Sequence, residues 1–135
     1  MNKNQIMIDL LKKNFIDQDS SKDISKAKSK LLEIIFKYED SIHDVIRNFI
    51  IFYSNKYQDE ELAKDIVLEV VKSINEDPDL SMQQKNELDY HIIFGFASYY
   101  IPLGKDVIFS KTISEMIKQN PDFVVPISCN FVRTS

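Results

Sequence analysis

The stretch Tyr90-His91-Ile92-Ile93-Phe94-Gly95-Phe96-Ala97-Ser98-Tyr99-Tyr100-Ile101 is apolar on nearly every side. A helix that is hydrophobic all round belongs in the middle of a bundle, enclosed by amphipathic partners. The longest apolar run here, Ile92–Leu103, carries Ser98 and Pro102 and falls far short of the roughly 20 residues that cross a bilayer. Ser81 followed by Gln84 forms a capping box, which predicts a helix over about 82–101. Gly95 costs such a helix about 1 kcal/mol relative to alanine. A neighbouring helix crossing close to that position is the best explanation for it.

The rest of the chain supplies the enclosing helices. Ile6, Leu10, Leu11 and Phe15 recur at helical spacing over about 4–16. Ile24, Ala27, Leu31, Ile34, Ile35 and Tyr38 make a second stripe. Ser41, with Asp44 three residues on, predicts a cap for a third helix that buries Ile42, Val45, Ile46, Phe49, Ile50 and Tyr53 and ends near Asn55. Leu62, Ala63, Ile66, Val67, Val70, Val71 and Ile74 give the clearest amphipathic pattern, with Pro78 beyond its end. Thr112 and Glu115 predict the capped start of a short sixth helix through Ile113, Met116 and Ile117 that stops before Asn120-Pro121. Val107-Ile108-Phe109 and the β-branched stretch Phe123-Val124-Val125 read as extended, either paired or laid across the bundle. The expected fold is therefore mainly all-α: a compact bundle of five to six helices around a hydrophobic central helix at about 82–101, with a short extended C-terminal tail.

Length and composition narrow the function. The 135 residues fit one domain, 1–135, and an apolar content of 44% is enough for a core. Two glycines, Gly95 and Gly104, cannot build a Gly-rich phosphate loop or a nucleophile elbow. Asp9, Lys12 and Lys13 interrupt the apolar start Ile6–Leu11 too early for a secretory signal, so a cytoplasmic location is expected. Fifteen lysines against two arginines, in a chain of net charge −4, argue against direct nucleic-acid binding.

Few residues can carry catalysis. His43 follows Glu39 by four residues and His91 follows Glu87 by four, spacings at which a carboxylate and an imidazole share a helix face. Asp40-x-x-His43 mimics half of a bundle di-metal motif, but the full motif needs a second such element, and Leu88 stands three before His91 where its acid is needed. Ion pairing is the plainer account of both, and no metal or cofactor is expected. Cys129 is the sole thiol, with no histidine near it in sequence, and reads as a buried structural cysteine. The chain is not expected to be an enzyme.

Charge is uneven along the chain. Residues 1–38 carry +3, residues 39–89 carry −8 and residues 90–135 carry +1. Asp59-Glu60-Glu61 and Glu76-Asp77-Pro78-Asp79 are the densest acidic points, with Tyr53 and Tyr57 leading into the first. Acidic residues at helix N-termini also complement the helix dipole, so a solvated helix face explains part of this pattern. The functional reading is a docking surface made of Tyr53, Tyr57, Asp59, Glu60, Glu61, Glu76, Asp77 and Asp79 for a basic protein partner. A small acidic helical protein without catalytic groups fits a stoichiometric inhibitor, immunity- or antitoxin-like as in bacteria, that neutralises a basic toxin or nuclease. A helical groove-binding adaptor is the alternative, and a small-molecule sensor using Tyr90, His91 and Tyr99 is a third.

Overall fold

A computed structural model describes residues 2–17 and 23–119 of the chain. The described residues form six α-helices and no strand: α1 (Lys3–Lys12, continued by a π-helical turn Lys13–Asp17), α2 (Ile24–Lys37), α3 (Ile42–Tyr57), α4 (Glu60–Glu76), α5 (Met82–Tyr100) and α6 (Asp106–Gln119). The expected all-α bundle is thus observed. The expected tail and Cys129 lie outside the described residues.

Most helix starts follow from one short polar side chain. Asn2 accepts the Gln5 amide at 2.7 Å, and Asp23 accepts those of Ser25 and Lys26. Asp59 accepts the Leu62 amide at 3.0 Å to open α4. The Ser81 box is complete: the Gln84 amide donates to Ser81 Oγ, and the Ser81 amide donates to Gln84 Oε1. Each such cap satisfies backbone donors that the helix itself leaves orphaned.

Two sequence expectations are corrected. Ser41 makes no capping bond, because Glu39–Ser41 wind into a 3-10 turn that runs straight into α3. Val107-Ile108-Phe109 is the first turn of α6 and not a strand. The chain leaves α5 through a 3-10 turn, Ile101–Leu103, and Gly104 adopts φ +71°, the left-handed conformation that glycine takes without a Cβ penalty. The new helix then starts at once. Thr112, expected as its cap, sits within it and donates its hydroxyl to the Ile108 carbonyl.

The apolar helix is where it was expected, with Leu88, Ile92, Ile93, Phe96, Ala97 and Tyr100 buried. It shares the centre with α3, which packs on α1, α2, α4 and α5. Phe15 on the π turn meets Phe49 of α3 edge-on at 4.8 Å, and Phe49 stacks on Tyr53 at 5.3 Å. These rings join α1 to α3 with a geometry that aromatic quadrupoles favour.

The close crossing expected at Gly95 is with Ile46 of α3. A Cβ built on Gly95 would lie 2.5 Å from Ile46 Cβ, 2.7 Å from its Cγ2 and 3.2 Å from the His43 carbonyl oxygen. Ile46 Cβ is fixed to the α3 backbone, so no rotamer change relieves that contact. Gly95→Ala gains about 1 kcal/mol of helix propensity, but overpacking at such a contact costs about 1–3 kcal/mol. Because the helices themselves must separate, we expect the upper part of that range and a net loss of about 1–2 kcal/mol. Urea denaturation checks this: the midpoint falls while the slope stays unchanged.

Candidate partner-docking surface

The two acidic clusters lie at opposite ends of α4. That helix has 17 residues, and at 1.5 Å per residue it is about 25 Å long. Asp59, Glu60 and Glu61 therefore do not share a patch with Glu76, Asp77 and Asp79. The two ends also differ in how their charge is used.

At the N-terminal end most of the charge is bound internally. Glu60 accepts hydrogen bonds from the Tyr99 hydroxyl at 2.6 Å and from Lys105 Nζ at 2.8 Å. Burial alone would raise the Glu60 carboxyl, but these two donors and the lysine charge outweigh it and hold the group below its ordinary value. Glu61 pairs with Lys64, a nearly buried lysine that also has Glu115 of α6 at 3.7 Å and Asp65 at 3.8 Å. Burial disfavours the Lys64 charge, yet the surrounding carboxylates win and raise its proton affinity. Asp59 is occupied as the α4 cap.

The two tyrosines of this cluster are mostly interior. Tyr53 is fully buried and is a core residue, so it cannot touch a partner. Burial, followed by the charges of Tyr57, Asp59 and Asp23, pushes its hydroxyl up to about 12. Tyr57 is half-buried against the Tyr53 ring at 4.6 Å, with the Lys56 ammonium 5.5 Å from its own ring centre. The sequence could not reveal the partners of Glu60, which lie 39 and 45 residues away. The Glu61–Lys64 pair, three apart on one helix, was visible as a spacing.

The C-terminal end faces outward. Asp77 receives the Asp79 amide on its side chain at 2.9 Å and turns the chain past Pro78. Beside that turn lies a cleft of about 290 Å³ lined by Phe36, Leu32, Ile74, Glu76 and Asp77 among others. A second cleft of about 320 Å³ lies on the other side of Phe36, with Glu39, Asp40, Glu87, His91 and Leu80 in its lining. One ring, Phe36, is common to both, and it is 41% exposed. Five carboxylates thus surround an exposed aromatic side chain, and among the described residues neither lining includes a lysine or arginine. Lys3 approaches Asp40 at 3.6 Å, but both side chains are well exposed and such a pair holds little energy.

Phe36 is not part of the core. Its neighbours Ile34, Ile35 and Tyr38 take the buried positions of the last α2 turn, which leaves Phe36 at the edge of the stripe. Glu39 and Glu87 were noticed only as partners for histidines. His43 lies 3.6 Å from Asp44, and His91 is exposed in the cleft lining. Among the described residues no three His, Cys, Asp or Glu side chains converge as a metal ion requires. The three sensor residues do not share a site: Tyr99 is bound to Glu60, Tyr90 packs edge-on against Phe94, and His91 faces the Phe36 cleft.

No described helix is long and apolar enough to cross a membrane. Comparison of the chain with protein-family models, curated proteins and solved structures finds no match.

The Glu60 cluster has a pH signature. A carboxyl whose folded value is depressed stabilises the fold fully above its unfolded value, here 4.5, and loses that contribution as pH falls through the lower folded value. Glu60→Gln removes the charge and keeps an acceptor for Tyr99. We expect it to cost about 1 kcal/mol at pH 7, discounted for partial exposure of Lys105. The gap from the unchanged protein then closes below pH 4.5, as denaturant titrations across pH 3–7 would measure.

Proposed function

We propose that this protein is a stoichiometric inhibitor, immunity- or antitoxin-like, that acts in the cytoplasm by docking the Phe36 surface onto a basic toxin or nuclease domain. One observation supports this above all others: an exposed phenylalanine set among Glu39, Asp40, Glu76, Asp77 and Glu87, with no cation in either cleft lining among the described residues. A protein that binds a polyanion presents lysines and arginines in a concave site. Negative potential focused in two clefts speeds encounter with such a partner, and an aromatic side chain that becomes buried on contact slows its departure. The surface supplies recognition without a reacting group, which fits inhibition by occupation better than catalysis.

The chemistry of the patch also suggests how a partner would enter. Each cleft is large enough for one long basic side chain, whose methylene stem can lie on Phe36 while its head meets the carboxylates. Asp79, exposed beyond the turn, adds to the same field. The alternative, a groove-binding helical adaptor, would rely on apolar burial and bind with little salt dependence.

Affinity capture with the tagged protein, followed by titration of the retained species, tests the reading. We expect one basic protein bound in equal amount, with affinity falling about tenfold or more between low and physiological salt. Asp40→Lys with Glu87→Lys should abolish binding, and Phe36→Ala should cost about 1–3 kcal/mol. Glu61→Lys, at the far end of α4, should leave affinity within about twofold. Equal sensitivity at the two ends, or binding indifferent to salt, would sink the Phe36 docking mode.

A further inference from the structure

We infer that the cleft between α1 and α2 is a binding site for a compact polyphosphate anion. Both helices contact α3 but touch each other little, and a cleft of about 260 Å³ lies between them. Leu10, Lys13 and Asn14 form one wall, and Lys30, Glu33, Ile34 and Lys37 form the other. Three lysines against one glutamate give this lining a charge of +2, in a chain whose net charge is −4. The two clefts beside Phe36 have the opposite sign and no lysine or arginine in their linings.

Helical spacing aims the three lysines at one space. Lys30, Ile34 and Lys37 follow the four- and three-residue steps that keep side chains on one helix face. Lys30 and Lys37 are thus about 10 Å apart along α2, and Lys13 approaches from the opposite wall. That wall is fixed before any ligand arrives. The π-helical turn Lys13–Asp17 buries Phe15 against Phe49, Lys56 Nζ donates to the Ile16 carbonyl at 2.8 Å, and Asn14 Nδ2 donates to the Leu10 carbonyl at 2.8 Å. Such turns are rare and recur at functional sites. Lys13 and Lys37 also suit the helix ends they occupy. The dipole does not, however, require them to face one cleft with Lys30, which lies in mid-helix. Among the described residues neither Lys13 nor Lys37 forms an ion pair. The cleft is smaller than the roughly 300–1,000 Å³ of pockets for drug-sized ligands, so its occupant is compact. Lysine ammonium groups are point-charge donors suited to phosphate oxygens. Linked phosphates place several negative charges in so small a space.

Titration of the full chain with sodium tripolyphosphate, read by calorimetry and amide NMR at low and physiological salt, tests the inference. We expect one saturable site, weakened by salt, that binds monophosphate roughly tenfold less tightly because it carries fewer charges. Lys13→Glu and Lys37→Glu, each made alone, should weaken binding roughly fivefold or more. Glu33→Gln removes the one carboxylate of the lining and should tighten binding about twofold or more. Lys72→Glu and Lys111→Glu, exposed and outside the lining, should leave affinity within about twofold. Melting curves report whether each variant is folded. ATP, titrated alongside, separates a nucleotide from an inorganic chain as the source of the phosphates, and either supports the inference where the same two reversals weaken it. No saturable binding by about 10 mM tripolyphosphate overturns the inference. So does binding that Lys72→Glu or Lys111→Glu weakens as much as the cleft reversals do, or that Glu33→Gln fails to tighten.

Discussion

The approach of α3 and α5 at Gly95 and Ile46 sets the rest of the bundle. With a built Cβ only 2.5 Å from Ile46 Cβ, the two helices can cross at this distance only because residue 95 has no side chain. Dispersion energy falls steeply with separation, so the closeness of this crossing decides how well Ile42, Ile50, Ile92 and Phe96 fill the space on either side. The cost is a glycine in mid-helix, worth about 1 kcal/mol. It is offset by the contacts made along the whole length of the pair. The other helices are arranged around these two: α1 on α3, α4 on both, α6 on α5 and α4, and α2 mainly on α4 with a smaller contact to α3.

The acidic middle of the chain divides into two populations with different physical roles. At the start of α4, carboxylates complement the helix dipole and bind Lys105, Tyr99 and Lys64, so their charge is largely neutralised within the fold. At its end, Glu76 and Asp77 join Glu39, Asp40 and Glu87 around Phe36, with Lys3 at Asp40 as a weak, exposed partner. Neutralised charge stabilises; outward charge without cations in its lining costs folding energy through mutual repulsion and gains nothing inside the molecule. The second kind, placed around an exposed aromatic ring, therefore carries the functional argument, and equal charge density in sequence does not distinguish the two.

What could be read from the sequence was what depends on neighbours along the chain. The Ser81 box, the α4 stripe and the glycine contact at residue 95 each rest on local spacing or on one residue's missing side chain, and all three are present. The misread parts depend on residues far apart. Tyr53 looked like an interface side chain because it leads into an acidic turn, yet Phe15 and Phe49 enclose it. Phe36 sits beside Ile34 and Ile35 along the chain, yet it is exposed, because Tyr38 takes the last buried place. Val107-Ile108-Phe109 has strand-like composition. It is helical because Gly104 reverses the chain and Phe109 and Ile113 then find the core at helical spacing.

The chain direction of α4 and α5 gives these surfaces a common frame. The two helices form an antiparallel hairpin joined by residues 77–81, and Phe36 with its carboxylates gathers at the closed end of that hairpin. Glu60, Tyr99 and Lys105 tie the open end together, and Lys64 reaches Glu115 on α6. Polar clasps thus hold both ends of the hairpin, because Asn75 in the last turn of α4 donates to the buried Asp89 of α5 at 3.0 Å, and the carboxylates around Phe36 lie outside that tie.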